Sequence, residues 1–231
     1  MGALGFDDFK EILKYRLGDR ADMESAGDSS LNYYGLFINS AYRQLCTQDS
    51  ILGLKKRLYF PQLMTSTTDT TTDGTAYIDA PSDCLYITDV YDSTNDRNLD
   101  WIPWREYLEY TDRSDTSSEG DATEWTRSGE YIYLHPTPGT TGDTFTIYYK
   151  KLVADLSGSA TTEIGAEWDD VIIELASYKA FTFVHEYDKA KFCKEAFLEM
   201  AVGLADIYFH DEDDLNKNFG PSNAYMSKTR F

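Results

Sequence analysis

The side chains that most often do chemistry in proteins are thinly spread through this sequence. Its histidines, His135, His185 and His210, and its cysteines, Cys46, Cys84 and Cys193, lie far apart. Zinc sites need such residues clustered, and neither CxxC nor HExxH occurs. A phosphate-cradling loop needs closely spaced glycines between a strand and a helix, yet GxxxxGK(S/T) and GxGxxG are both absent, as is a GxSxG nucleophile elbow. The run Asp211, Glu212, Asp213, Asp214 offers hard oxygen ligands for calcium, but it lacks the spacing and the glycine of an EF-hand loop and reads as a solvated helix end. His185 with Glu186 and Asp188 reads as the solvated end of a helical hairpin. A carboxylate pair for glycoside hydrolysis could be drawn from the 40 acids, but no particular pair stands out. The expectation is a protein that is not an enzyme and holds no cofactor and no metal.

The chemistry that remains is recognition by aromatic side chains. The chain has 18 Tyr, 12 Phe and 4 Trp, and Tyr is a favoured contact residue at protein interfaces. Two sets stand out. Trp101, Trp104 and Trp125, with tyrosines of the middle region, could stack on sugars, although a buried core is the plain reading for each Trp. Phe219, Tyr225, Met226 and Phe231 are spaced along a polar segment and are candidate anchors for a partner.

Charge limits the partners. The sequence carries 21 Lys and Arg against 40 Asp and Glu, a formal −19. Such a surface repels phosphate, which excludes tight, sequence-independent gripping of nucleic acid and disfavours anionic membranes. No stretch reaches the roughly 18 to 20 apolar residues of a membrane span. The start MGALGFDDFK has neither a basic nor an apolar leader region, so a soluble, non-secreted product is expected. The odd number of widely spaced cysteines argues for buried thiols made in a reducing compartment. With 42% hydrophobic residues, the chain has material for a real core.

The elements that must position these residues are helical at both ends and extended in the middle. Phe6, Phe9, Leu13 and Leu17 predict a first helix, with Asp7 and Asp8 in its first turn and Gly18 as its stop. Leu31, Tyr34, Ile38, Tyr42 and Leu45 predict a second, capped by Ser29 or Ser30 and ending before Gly53. From Trp168 a helix apolar around most of its circumference is expected. Asp188 then caps a last helix with the stripe Phe192, Ala196, Met200, Leu204 and Ile207. The last two helices form an antiparallel hairpin on which the first two pack.

Between them the period changes to two. Tyr131 to Leu134 and Thr144 to Tyr149 read as strands joined by the Pro- and Gly-rich turn His135 to Gly142. Leu85 and Ile87 share a face of another strand, Leu58 to Met64 reads as a further one that Pro61 limits to an edge or a bulge, and Pro103 opens a short helix. Thr65 to Thr75, almost all Thr, Ser and Asp, reads as an exposed hairpin or loop. The expected fold is α+β: a discontinuous antiparallel helical bundle, residues 1–52 and 166–212, with an inserted antiparallel β domain, sandwich or barrel-like, over 53–165. An extended arm follows over 213–231.

The run from Glu124 to Phe181 resembles head-to-tail adaptor proteins of tailed bacteriophages, the group of connectors and tubular tail proteins. Ile132, Leu134, Pro136, Pro138, Ile147, Tyr148 and Tyr149 carry the strand part of the resemblance, and Trp168 to Phe181 the start of the helical part. It extends over about two thirds of the chain. The resemblance implies a ring, commonly of twelve copies, beneath the portal protein. The helical part and the arm would look to the portal and to neighbouring copies, and the β part to a downstream tail or nozzle protein. DNA would pass through without specific binding. It implies a place in the virion neck, after assembly in the host cytoplasm. The competing readings are a tail-associated carbohydrate- or receptor-binding module and, behind it, a cell-wall hydrolase.

Overall fold

The computed structural model describes residues 3–24, 32–48, 51–54, 58–72, 74–112, 119–139 and 141–208. The chain divides into two compact units, one built from residues up to Leu63 and again from Leu152, the other from Met64–Lys151. The architecture is mixed α+β, with helices in the first unit and two open sheets in the second.

In the first unit α1 spans Phe6–Arg16. The Asp8 carboxylate accepts from the Gly5 N–H at 2.9 Å, and Gly18, at φ 78°, ends the helix as its sequence position predicts. α2 covers Tyr33–Thr47, and its cap is Asn32. The Asn32 side chain accepts from the Gly35 N–H at 3.1 Å, which satisfies a donor the first turn would otherwise leave open. This corrects the expected Ser29 or Ser30 cap; both serines, and Leu31 of the expected stripe, lie outside the described residues. Gly35 is needed for packing, because a Cβ there would stand 2.9 Å from the Phe6 ring.

α4 (Asp169–Phe183) and α5 (Tyr187–Tyr208) form the expected hairpin, turned at His185, where φ is 63°. α4 buries Val171, Ile172, Ile173, Leu175, Ala176 and Phe181, and it packs against α1, α2 and α5. A helix touched on so many sides has to be apolar around most of its surface. Polar ties fix the arrangement. Arg16 pairs with Glu174 at 2.7 Å and donates to Ser177 Oγ at 3.1 Å. Asp169 accepts from the Leu4 N–H at 2.8 Å and from the Thr162 hydroxyl at 3.2 Å. Burial raises the Asp169 carboxyl above the usual carboxylate range, against the two hydrogen bonds that favour its charge.

Two expectations for α5 are corrected. The helix begins at Tyr187, so Asp188 sits inside its first turn, where a negative charge suits the helix dipole, and does not cap it. The buried face is Ala190, Cys193, Phe197, Ala201 and Ala205, whereas Phe192 is 72% exposed. Of the expected stripe, Met200 and Leu204 are half-buried against the same core, and Phe192 is turned away from it.

The second unit contains β1 (Met64–Thr70), β2 (Tyr77–Asp79), β3 (Cys84–Asp92), β4 (Arg97–Asn98), β5 (Asp100–Trp101), α3 (Trp104–Asp112), β6 (Glu124–Ser128), β7 (Tyr131–His135) and β8 (Thr144–Lys151). The strands form two sheets, ordered β1-β8-β3-β4 and β2-β7-β6-β5. Every pairing is antiparallel except β5 with β6. Both sheets feed one core, in which Ile78, Trp125, Ile132 and Leu134 meet Val90, Phe145 and Ile147. α3 begins immediately after Pro103, as predicted.

Three readings of the middle region change. β7 and β8 are strands, but they belong to different sheets, so His135 to Gly142 carries the chain from one sheet to the other. On β3 the buried positions are Cys84, Val90 and Asp92, with Leu85 and Ile87 only half-buried. Register shifts at Cys84/Tyr86 and Ile87/Asp89 rotate that face along the strand. The Thr-rich segment is largely strand: β1 pairs with β8 from Met64 to Thr70. Threonine's branched β-carbon suits extended backbone, and Pro61 lies in a short 3-10 turn ahead of it.

Candidate functional site

The second unit displays an aromatic face. Strand alternation sends Ile78, Ile132 and Leu134 inward and turns Tyr77, Tyr131 and Tyr133 the other way. Direct pairing of Tyr77 with Tyr133 across β2 and β7 brings these rings together. Ring centroids lie 4.6 Å apart for Tyr77 and Tyr131 and 5.8 Å apart for Tyr77 and Tyr133. α3 adds Trp104 and Tyr107, stacked at 5.3 Å, and both approach Tyr133, at 5.0 and 5.4 Å. Such separations are those of favourable ring pairs.

This cluster is half in water. Tyr77, Trp104 and Tyr131 are 41%, 37% and 38% exposed, and Tyr107 beneath them is buried. Burial, then the neighbouring Tyr133, raises the Tyr107 phenol above its ordinary value, so it stays neutral near neutral pH. At one side Tyr110 stacks on the His135 ring at 4.6 Å, and His135 Nδ1 lies 3.1 Å from Glu124 Oε2. Rigid aromatic rings with polar tips, held by a sheet and a helix, make a contact surface with little conformational entropy left to lose on binding.

The Trp set named from the sequence is divided by the fold. Trp101 and Trp104 are exposed, whereas Trp125 on β6 is a core residue. The tyrosines that complete the face were not singled out individually, although their alternation with Ile132 and Leu134 was the available signal. Phe219, Tyr225, Met226 and Phe231 lie outside the described residues.

All three cysteines are buried. Cys193 borders an open cleft of about 450 Å³ with Arg16, Glu174, Phe181 and Phe192, but burial and then Glu174 push its thiol up to about 11, away from the reactive thiolate. His185 shares a hydrogen bond of 2.9 Å with the Tyr187 hydroxyl. Among the described residues, no group of three or more His, Cys, Asp and Glu is placed to hold a metal ion, and no helix is long and apolar enough to cross a membrane.

Comparison with known proteins gives this surface its context. No curated protein is matched. The family described as SU10 adaptor protein is matched over residues 7–221, through both units. Adaptors of this kind are structural proteins and not enzymes. The chain belongs to the SU10 adaptor protein family, a family of phage head-to-tail adaptors.

Proposed function

We propose that this adaptor assembles as a ring, of about twelve copies as the resemblance implies, beneath the portal protein in the virion neck. There it joins head to tail and surrounds the path of the DNA. Copies assemble in the host cytoplasm. The helical unit and the segment 213–231, with Phe219, Tyr225, Met226 and Phe231 as anchors, face the portal and neighbouring copies. The β unit meets the downstream tail or nozzle protein.

The observation that carries this reading is the half-exposed aromatic face of Tyr77, Trp104, Tyr131 and Tyr133 on a member of a structural adaptor family. A ring needs heterologous contacts that close, and a preformed aromatic surface suits one side of such a contact. The charge fits the same use. Segment 64–151 carries 17 Asp and Glu against six Lys and Arg, a formal −11. A wall of that sign repels the DNA backbone and leaves it free to move. Mass measurement of the purified chain with and without its portal is the test. Rings or portal-bound complexes are expected, and a strict monomer that never joins a portal sinks the proposal.

Exposure of Trp101 and Trp104 favours one second reading, a carbohydrate-binding face of a tail-associated module. Saturable glycan binding lost in Trp104→Ala would select it over the adaptor ring. Binding that survives the substitution, or no binding, counts against it.

A further inference from the structure

β1 is an edge strand with an open side. Its sheet places β8 on one flank and no strand on the other. The Thr71 N–H donates to the Asp143 carbonyl at 2.9 Å, so Thr71 faces β8. Thr144, opposite Thr70, directs its carbonyl to the Ser93 N–H at 2.8 Å, away from β1. Antiparallel alternation therefore bonds Asp69, Thr67 and Thr65 to β8 and turns Thr70, Thr68 and Ser66 outward. The Thr70 N–H is taken by the Asp69 carboxylate at 2.8 Å. Among the described residues, nothing pairs with the outward backbone groups of Ser66 and Thr68.

Edges of this kind are normally blunted by Lys, Pro, a bulge or shortness. β1 has none of these. It is seven residues long, MTSTTDT, with Asp69 as its single charge, and it is exposed from Thr65 to Thr68. The other edge strands are short: β2 has three residues and β4 and β5 two each; β3, beside β4, carries two register shifts in its pairing with β8. A regular, β-prone edge with a single charge near one end, left open, is a template for an added strand.

The sequence contains a segment suited to it. Residues 215–231 hold Lys217, Lys228 and Arg230 and no acid, so the remainder of the chain carries −22. Within it Tyr225 to Phe231, YMSKTRF, has no Gly and no Pro and matches β1 in length. As a strand it would put Tyr225, Ser227, Thr229 and Phe231 on one face and Met226, Lys228 and Arg230 on the other. The open edge lies in the acidic segment 64–151, and Asp69 is joined at its end by Asp79, whose N–H donates to the Asp69 carboxylate at 2.9 Å. Pairing β1 with the β1 of another copy would set like charges together and give a two-fold contact, which does not build a ring.

We propose that residues 225–231 of a neighbouring copy add as a further strand along the open edge of β1, with Ser66 and Thr68 supplying the outward hydrogen bonds. This rests on the ring assembly proposed above and gives it a head-to-tail link, arm of one copy to edge of the next. Residues 209–224 can bridge up to about 50 Å when extended.

Amide hydrogen exchange of the full-length chain tests this, read at Ser66 and Thr68 in dilute monomer and in the portal-bound assembly, with mass recorded for each sample. Assembly is expected to slow both amides at least about tenfold, while Thr65 and Thr67, bonded to β8, stay protected throughout. The gain should vanish on deletion of 216–231. At Thr68, the amide still readable, it should vanish also in Ser66→Pro, which removes an outward donor but no bond to β8. Assemblies in which Ser66 and Thr68 exchange freely overturn the strand addition and leave the ring standing. Protection already present in dilute monomer shows docking within one chain, and protection that survives the deletion shows another occupant; either overturns the proposal. A chain monomeric by mass even with its portal overturns ring and strand addition together.

Discussion

The two units arrange their aromatic residues differently. The helical unit buries Phe9, Tyr34, Tyr42, Phe60, Trp168 and Phe197 almost completely, with Phe60 edge-on to Trp168 at 4.9 Å. The β unit keeps Trp125 and Phe145 inside but leaves Tyr77, Trp101, Trp104 and Tyr131 partly in water. Net charge does not divide them: residues 1–63 with 152–212 carry −9 and residues 64–151 carry −11. The helical unit also exposes Tyr15, Phe183, Tyr187 and Phe192; what sets the β unit apart is that Tyr77, Trp104, Tyr131 and Tyr133 gather into one cluster. A substitution should therefore be read by fold stability in the helical core and by assembly in that cluster.

The largest effect should come from the helical core. Phe197 on α5 is fully buried, so Phe197→Ala should cost about 3–5 kcal/mol in denaturant unfolding, from lost burial and the cavity left behind. Asp169→Ala comes next, at about 1–3 kcal/mol, because the Leu4 N–H and Thr162 hydroxyl lose their acceptor. Asp169 also sets a pH dependence. Its carboxyl is raised in the folded chain, so the folded state holds the proton where the unfolded state has released it. Its contribution is complete below the unfolded value and is lost as pH rises through the raised one. Asp169→Asn should flatten stability across that window, and an unchanged profile would assign the slope to other groups. Smaller still is Trp104→Ala in the β unit. It should change unfolding free energy by no more than about 1 kcal/mol and still weaken partner binding measurably. A loss as large as that of Phe197→Ala would erase the contrast between the units.

The sequence discloses the helical unit better than the β unit for a physical reason. A helix writes its buried face at a spacing that survives many substitutions, so α1, α2 and α4 were legible from Phe9, Ile38 and Leu175 and their neighbours. Even there the stripe is displaced, because α5 buries Phe197 among the small Ala190, Cys193, Ala201 and Ala205, which carry little weight in a hydrophobic pattern, while Met200 and Leu204 are only half-buried. In the β unit alternation identified β7 and β8 but not their separation into two sheets, which depends on pairings remote in sequence. β1 was missed because a run of Thr and Ser looks like a polar loop unless branched β-carbons are weighed above polarity. Of the aromatic face, Trp104 was named in advance. The part played by Tyr77, Tyr131 and Tyr133 follows from the Tyr77 to Tyr133 register, which no single segment contains.

Phe192 gives the finest test, because the sequence pattern and the fold disagree about it by one position on a helix. Read as a member of the stripe Phe192, Ala196, Met200, Leu204, it is a core residue whose replacement by Ser should cost several kcal/mol. In the structure the stripe one position later is buried, Cys193, Phe197 and Ala201, and Phe192 lies at the rim of the cleft beside Arg16 and Lys189. Phe192→Ser should therefore leave stability within about 0.5 kcal/mol, the range of an ordinary surface change. Measured beside Phe197→Ala in the same denaturant series, it fixes the rotation of α5 independently of any other contact. A cost above about 2 kcal/mol would mean that Phe192 faces the interior and that the small-residue face is not the one against α4. If the cost is small and the variant also fails to join the portal, the exposed ring belongs to a contact surface, and the helical unit too presents an aromatic side chain to a partner.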